Sequence, residues 1–472
     1  MSATASSLPT PSALELLQAL RRQLGDRAVL IGDDVPERNR NDWSSQPPTR
    51  PLAVVRPLDA AGVSAALRCC AQAGLKAVPQ GGLTGLCGGA RPEDGWVAIS
   101  LERMVGVEEI DAASSTMTVR AGTPLEAVQR AADEAGLYFA LDLGARGSCA
   151  IGGNLGTNAG GNRVIRYGMA RELVLGLEVV LPDGTVITSL NKMLKNNAGY
   201  DLKHLFIGSE GTLGIITRIV LRLHAKPRST LAALCAVSDF GQVVGLLRAA
   251  RSGLGPLLSA FEVMWPDYWQ VVTERAKVPA AVGAGHAQYV LIEAQGTDEA
   301  VDAPRFQAWL EGLMEQGLLA DAAVAQSLAD VQGFWALRDA CAEFFQVIGP
   351  HISFDVSLPV GRMAEFAARC KQALKDQAGC ESIYYGHIGD GNLHLVAWAD
   401  AKSLDQQPKA AMDEAIYGLV QEFAGSVSAE HGIGTQKRKW LGHSRSEAEI
   451  ALMRTLKAAL DPQGVLNPGK VI

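Results

Sequence analysis

Residues 144–161 read Gly-Ala-Arg-Gly-Ser-Cys-Ala-Ile-Gly-Gly-Asn-Leu-Gly-Thr-Asn-Ala-Gly-Gly, and the fold turns on how they are understood. The stretch is far too long for one turn and nearly free of apolar bulk. Glycine lets a backbone approach another group closely, so a run of this length points to a large cofactor lying along it. A floppy linker is the alternative reading, but Asn154, Thr157 and Asn158 supply fixed polar contacts that a linker does not need. Two more glycine blocks flank it. Residues 79–89, Pro-Gln-Gly-Gly-Leu-Thr-Gly-Leu-Cys-Gly-Gly, hold five glycines where a strand runs into a loop. Their N–H groups can turn toward an anion and form a concavity for phosphate. The block is neither a GxGxxG nor a P-loop, since no Lys-Ser/Thr follows, and a ligand-free tight loop is its competing reading. Residues 195–214 read as a helix entering a glycine-rich turn, Gly208-Ser209-Glu210-Gly211, before a strand.

Around these blocks strands and helices alternate. Ser12-Ala13-Leu14-Glu15 is a capping-box pattern, with leucines 16, 17, 20 and 24 at helical spacing and Gly25 as the stop. Strands are expected at 53–55, 76–79, 97–101, 116–120, 177–181 and 215–223, and helices at 59–73 and 124–135. The class is therefore α+β or α/β up to about residue 225. Beyond it the glycine clusters stop. Aromatic residues (Phe261, Trp265, Tyr268, Trp269, Trp335, Phe344, Phe345) and amphipathic helical stretches take over. We divide the chain into 1–225, a substrate-facing 226–424, and a C-terminal 425–472 that returns to Gly/Pro-rich sequence.

The chemistry-bearing residues crowd into the C-terminal part. In 384–395, Tyr-Tyr-Gly-His-Ile-Gly-Asp-Gly-Asn-Leu-His-Leu, the central Asp390-Gly391 is a strong hairpin signal, because a type I′ turn needs φ > 0 at both positions. With that pair as the turn, His387 faces His394 across the ladder with Cβ atoms roughly 5 Å apart. Asn392 shares their face. Two imidazoles so placed can share a divalent ion. Ser428-Ala429-Glu430-His431-Gly432-Ile433-Gly434 adds a carboxylate and a third histidine in a glycine-rich bend. The alternative is a buried hairpin whose histidines merely hydrogen-bond.

The chain's 472 residues are enough for two or three domains, since single cores stop growing near about 250–300 residues. A net charge of −7 with 48% hydrophobic residues argues against a nucleic-acid-binding protein, which carries a basic stripe. The eight cysteines show no CxxC pair and no metal-ligand spacing, which fits reduced thiols. There is no run of about 18 apolar residues to span a membrane, and the first dozen residues lack the arginines and apolar core of targeting peptides. A cytoplasmic, soluble protein is expected.

Taken together, PQGGLTGLCGGA (79–90), IGGNLGTNAGG (151–161), GYDLKHLFIGSEGTLGI (199–215), GHIGDGNLHL (386–395), SAEHGIG (428–434) and DPQGVLNPGK (461–470) are highly specific. From about residue 50 onward the chain resembles the flavoenzymes of the vanillyl-alcohol oxidase/p-cresol methylhydroxylase superfamily. Within it, the motifs are similar to the D-2-hydroxy-acid dehydrogenase branch: D-2-hydroxyglutarate dehydrogenase, D-lactate dehydrogenase and the glycolate oxidase catalytic subunit. The resemblance implies an α+β fold: a bipartite FAD-binding domain, an α+β cap over the flavin, and a C-terminal segment returning to the FAD domain.

It also implies the site. Pro79, Gly81, Gly82, Thr84, Gly85 and Leu86 would wrap the FAD pyrophosphate. Gly147, Ser148, Gly152, Gly153, Asn154, Thr157, Asn158, Ala159 and Gly160 would line the isoalloxazine and ribityl chain. Glu210, Gly211, Ile215 and Ile216 would complete the adenine side, with Asn467 as a further cofactor contact. His387, His394 and Glu430 match the branch's ligands for a divalent metal, Zn²⁺ or Mn²⁺, and His431 its general base. Arg338 and Asn392 are assigned to the substrate. No histidine or cysteine matches a covalent flavin link, so the FAD is expected to be non-covalent.

Two departures stand out. Leu83 occupies a position where the branch usually has Asn. Ala342 and Ser353 stand where the hydroxyglutarate enzymes use Thr and Lys for the distal carboxylate. The expected reaction is oxidation of a D-2-hydroxy acid to a 2-oxo acid, with electrons passed to a quinone, an electron-transfer flavoprotein or a cytochrome, and a homodimer is the expected assembly. An alkyl-ether-lipid synthase and a non-catalytic subunit of a larger oxidase are the rival readings.

Overall fold

The computed structural model describes residues 11–472, with side chains from residue 13 onward. The first helix, Pro11–Leu24, begins one residue ahead of the Ser12 expected to cap it. The Ser12 side chain and residues 1–10 lie outside the described residues. Leu16, Leu17 and Leu20 of this helix are buried, as their spacing requires.

Two sheets form the first half. The strands Val29–Leu30, Ala53–Val55, Val97–Ser100 and Ala77–Gln80 lie side by side in that order. Ala53–Val55 and Ala77–Gln80 both run parallel to Val97–Ser100, so the intervening chain crosses over as the helix Ala60–Ala73. Asp59 caps that helix by accepting from Gly62 N, and Gly74 ends it in the left-handed region. An antiparallel sheet follows, ordered Val107–Asp111, Thr116–Arg120, Ile215–Arg222, Val174–Val180 and Val186–Ser189.

The second half is built on one seven-stranded antiparallel sheet. Its order is Asp321–Val324, Ser229–Val237, Gln288–Gly296, Leu258–Met264, Glu381–Gly386, Asn392–Trp398 and Ile352–Ser357. Alternation along the strands sends Ala233, Cys235 and Val237 into one apolar cluster and Ala232, Leu234 and Ala236 into another. Both faces are therefore covered. The chain's end then rejoins the first half: Val465 and Leu466 enter the first core, and Leu466 pairs in parallel with Ala77. The fold is the expected α+β arrangement, with a returning C-terminal segment.

Two local expectations change, and one stretch takes a form the sequence left open. Within 144–161, Ile151–Thr157 coils into a short helix despite its three glycines. Its ends are held by tertiary bonds: Gly152 N donates to Ala121 O at 2.8 Å, and Leu155 and Gly156 accept from Gly208 and Glu210. The helix expected within 195–214 shrinks to Lys203–Phe206. The hairpin register also shifts, with Tyr385, not His387, opposite His394. Its loop is a 3-10 turn over Ile388–Asp390 followed by Gly391 at φ 92°, and Asn392 N donates to His387 O at 3.2 Å. Only Gly391 needs positive φ, so the two-residue I′ turn gives way to a longer loop ended by a left-handed residue.

Candidate active site

The parity that buries Phe261, Val263, Phe354, Val356, Leu393 and Leu395 on one face of the seven-stranded sheet puts Glu262, Asp355 and His394 on the other. That face meets the glycine blocks across a continuous cavity of about 910 Å³. One end is lined by residues of all three blocks, among them Gly81, Gly82, Gly153, Asn154 and Glu210. The other end is lined by Arg338, Tyr385, His387, His394, Glu430 and His431.

The glycines at the first end are of two kinds. A Cβ on Gly152 would lie 2.6 Å from Ala121 Cβ, and one on Gly82 would lie 2.6 Å from Cys149 Cα, so these positions exist for close chain packing. Gly153 and Gly156 have nothing within 4 Å of such a Cβ, yet both line the cavity. Together with the buried, unpartnered Asn154 Oδ1, they form a cradle with room and polar atoms for an extended ligand.

Most of the expected cofactor residues meet in this cavity: Pro79, Gly81, Gly82, Thr84, Gly85, Leu86, Gly152, Gly153, Asn154, Thr157, Ala159, Gly160, Glu210, Gly211, Ile215 and Ile216. Gly147 and Ser148 line an adjoining cavity of about 600 Å³. Two others play a different part. Asn158 closes the short helix at φ 51° and accepts from Arg171 N at 3.0 Å. Asn467 Nδ2 donates to Gly89 O at 3.0 Å and Glu210 O at 2.9 Å, tying the first glycine block to the third. Lys470 Nζ reinforces this on Gly89 O at 3.0 Å, and burial pushes its pKa down to about 8.

At the second end the His387 and His394 rings stand 5.1 Å apart at 82°, so the expected neighbourhood survives the shifted register. His387 Nδ1 meets Glu262 Oε1 at 2.6 Å, and Arg338 Nε donates to Glu262 Oε2 at 2.7 Å. Arg338 Nη2 lies 3.3 Å from His387 Nε2. Burial lowers the His387 pKa, but the Glu262 carboxylate outweighs it and lifts it to about 9. The donor-only guanidinium against Nε2 nonetheless matches a neutral ring with its proton on Nδ1. Burial raises the Glu262 pKa, and the charges of His387 and Arg338 bring it down to about 2.

Asp355, which no sequence pattern singles out, anchors the rest. It is fully buried. Its Oδ2 accepts the N–H groups of Ala429, Glu430 and His431 at 2.9, 2.9 and 3.0 Å, and Oδ1 accepts Asn392 Nδ2 at 2.6 Å. Burial raises its pKa, but His431, Lys437, His394 and the Glu430 N–H together hold it well below the carboxylate range. Asn392 thus serves Asp355 and does not line the cavity. His394 Nε2 lies 3.7 Å from Glu430 Oε1, and burial holds this imidazole well below its ordinary pKa, as a neutral ring. Glu430 Oε2 in turn accepts Gly161 N at 2.8 Å.

Ligand atoms of Asp355, His394, Glu430 and His431 all come within 4.8 Å of one another. Two donors on one tetrahedral ion with bonds near 2.1 Å lie about 3.4 Å apart, close to the His394–Glu430 separation. The Asp355 oxygens are already occupied by four donors. His387 has its Nδ1 fixed by a buried carboxylate, the usual orientation of a metal-bound histidine. His394 and Glu430 therefore suit a divalent ion; His387 falls outside this cluster, its ring 5.1 Å from that of His394 and its Nε2 facing Arg338 Nη2 at 3.3 Å, and would join them as a third donor of the same kind.

The cavity thus joins a cofactor-sized cradle to an arginine, three histidines and buried carboxylates. Sequence comparison places the chain accordingly. Residues 51–189 match the FAD binding domain, and residues 226–471 match the C-terminal domain of FAD linked oxidases. The chain belongs to this family of FAD-linked oxidoreductases, among relatives named D-2-hydroxyglutarate dehydrogenase. One from Xanthomonas citri pv. viticola is 41% identical over 92% of this chain and 92% of its own. A mitochondrial one from Danio rerio is 37% identical over 94% of this chain and 84% of its own. Among solved structures, p-cresol methylhydroxylase with substrate bound shares the fold at a TM-score of 0.81 and 17% identity, covering 98% of each chain.

Proposed function

We propose that this enzyme oxidises D-2-hydroxy acids to 2-oxo acids, aided by a divalent metal held by His387, His394 and Glu430. The observation that carries the reading is the single cavity that joins the glycine cradle to Arg338 and the histidine cluster. Bound FAD supplies the two-electron acceptor for the α-hydrogen. A metal at the histidines supplies positive charge that lowers the pKa of the substrate hydroxyl. His431 takes the hydroxyl proton: its ring stacks 6.0 Å from His394, and its backbone is pinned by Asp355. Arg338, with Nε committed to Glu262 and Nη2 3.3 Å from His387 Nε2, offers its remaining terminal N–H groups to the substrate carboxylate.

Ala342 and Ser353 line the same cavity as Arg338 and bring no charge to it. A second, distal carboxylate therefore has no dedicated partner at those positions, and the substrate range extends from D-2-hydroxyglutarate to smaller acids such as D-lactate. We further propose a quinone, electron-transfer flavoprotein or cytochrome as acceptor, a homodimer, and non-covalent FAD that acid releases from the denatured chain. A cytoplasmic location rests on the eight free cysteines.

The test is dye-coupled kcat/KM on D-2-hydroxyglutarate, D-malate, D-lactate and their L-isomers, with and without chelator, in wild type and Arg338→Ala. D-isomer turnover that chelation abolishes is expected, together with collapse in the variant. A preference above about 10⁴ for hydroxyglutarate shows dedicated polar partners elsewhere. An unchanged profile in Arg338→Ala removes this residue from the site.

A further inference from the structure

Glu262 is 1% exposed, and among the described residues no charged group other than His387 and Arg338 is bonded to it. One carboxylate oxygen takes His387 Nδ1 at 2.6 Å and the other takes Arg338 Nε at 2.7 Å. It stands on the strand Leu258–Met264, between Phe261 and Val263, which point into the opposite apolar cluster. Its backbone is thereby fixed by a central strand, and the side chain has little freedom to move. Arg338 comes from the helix Leu328–Asp339 and His387 from the hairpin loop. The two elements thus meet through this carboxylate and through the 3.3 Å contact between Arg338 Nη2 and His387 Nε2.

We infer that Glu262 is a positioning residue that sets the metal-facing nitrogen of His387 and the carboxylate-facing end of Arg338 at the same time. The inference rests on the proposed metal and substrate roles of those two residues. Accepting from Nδ1 fixes the proton there and keeps Nε2, which faces Arg338 Nη2 at 3.3 Å, as the ring's acceptor nitrogen for an ion, the role a carboxylate plays behind a metal-bound histidine. Accepting from Nε pins one edge of the guanidinium, so its remaining terminal N–H groups meet a substrate carboxylate in one orientation. Because both constraints originate in one side chain, metal affinity and substrate affinity should fall together when both of its oxygens are lost as acceptors.

Glu262→Gln is the informative variant. Its amide oxygen can still accept from one partner, but its NH₂ must face the other as a donor. Facing His387, it drives the proton to Nε2 and removes the lone pair; facing Arg338, it places donor against donor. Zn²⁺ and Mn²⁺ affinity is read by titration and metal analysis of the flavin-loaded protein. Binding of the 2-oxo acid product is read from the perturbation of the flavin absorbance. The expected result is a 10–100-fold loss of metal affinity where the NH₂ faces His387, or of product binding where it faces Arg338, and loss of both in Glu262→Leu, which offers no acceptor, at unchanged flavin content. Glu262→Asp, which keeps the charge, should recover part of both, and it serves as the test if Glu262→Gln does not fold.

Metal and product affinities both within about twofold of wild type in Glu262→Gln, or loss of one alone in Glu262→Leu, overturn the inference. A wild-type enzyme that binds neither ion and turns over fully in chelator instead overturns the metal reading. In that case product binding in the variants decides the Arg338 half by itself.

Discussion

Two buried carboxylates, one from each half of the molecule, are caged by the same C-terminal bend with opposite results. Asp355, from the seven-stranded sheet, accepts three consecutive N–H groups at 429–431. Glu210, from the third glycine block and itself at φ 51°, accepts Ile433 N at 2.7 Å and Gly434 N at 2.9 Å. The Asp355 pKa is held well below its ordinary value, whereas burial pushes the Glu210 pKa up despite its two N–H donors. The difference lies in the company each keeps. Asp355 has a fourth donor in Asn392, with His394 and Lys437 at 3.7 and 3.9 Å. A nest of backbone N–H groups is thus not enough to pull a buried carboxylate's pKa below its ordinary value; further donors and nearby cations decide. The bend 429–434 is a joint between the halves, and His431 sits where it meets the cavity.

The largest expected effect separates the ring from the joint. His431→Asn keeps the backbone N–H on Asp355, so its fold and flavin content should stay at wild-type levels. Its turnover should fall by at least about 10²-fold, the low end for losing a general base. Near-normal flavin reduction in stopped flow would take His431 out of the chemistry. Asp355→Asn attacks the joint itself. An amide in the nest leaves Lys437 without its buried countercharge and costs about 3 kcal/mol, read from urea unfolding, with turnover also reduced.

Glu210→Gln should be milder, about 1 kcal/mol, because one acceptor remains and the lost charge was already disfavoured by burial. If the two amide variants cost the same, the contrast drawn above is wrong.

The smallest effect is in the pH dependence of those costs. A depressed pKa means that Asp355 contributes stability above its unfolded value, about 3.9, and loses it as pH falls toward the folded one. The gap between wild type and Asp355→Asn should therefore widen as pH rises through the acid range and then level off. A raised pKa means that the contribution of Glu210 is complete below about 4.3 and is lost as pH rises through the folded value. The gap for Glu210→Gln should narrow over that interval. Unfolding midpoints between pH 3 and 7 check both signs, and parallel slopes would refute the assignment.

How far the site could be read in advance depended on the range of the interactions involved. The strands at 97–100, 116–120 and 215–222, the crossover helix 60–73 and the three glycine blocks were legible, because hydrophobic period and the absence of side chains are local properties. The hairpin and the bend that carry His387, His394, Glu430 and His431 were legible for the same reason, since each is a short-range structure, whereas the approach of His394 to Glu430 is tertiary. The register was not. It depended on whether Asp390 or only Gly391 took positive φ, and the packing of the 3-10 loop settled that.

Glu262 and Asp355 were beyond reach. Each is one acid in an ordinary strand, and their decisive partners lie 125 and 76 residues away at His387 and His431. Asn392 was placed on the correct face but not with its true partner, and Asn467 joins loops that lie 378 and 257 residues before it in the chain. Sequence alone determined which elements form and which residue types gather at the C-terminal end. The tertiary structure decided which buried charge answers which, because that pairing is made between strands and loops whose neighbours are chosen only when the sheet and the returning tail have packed.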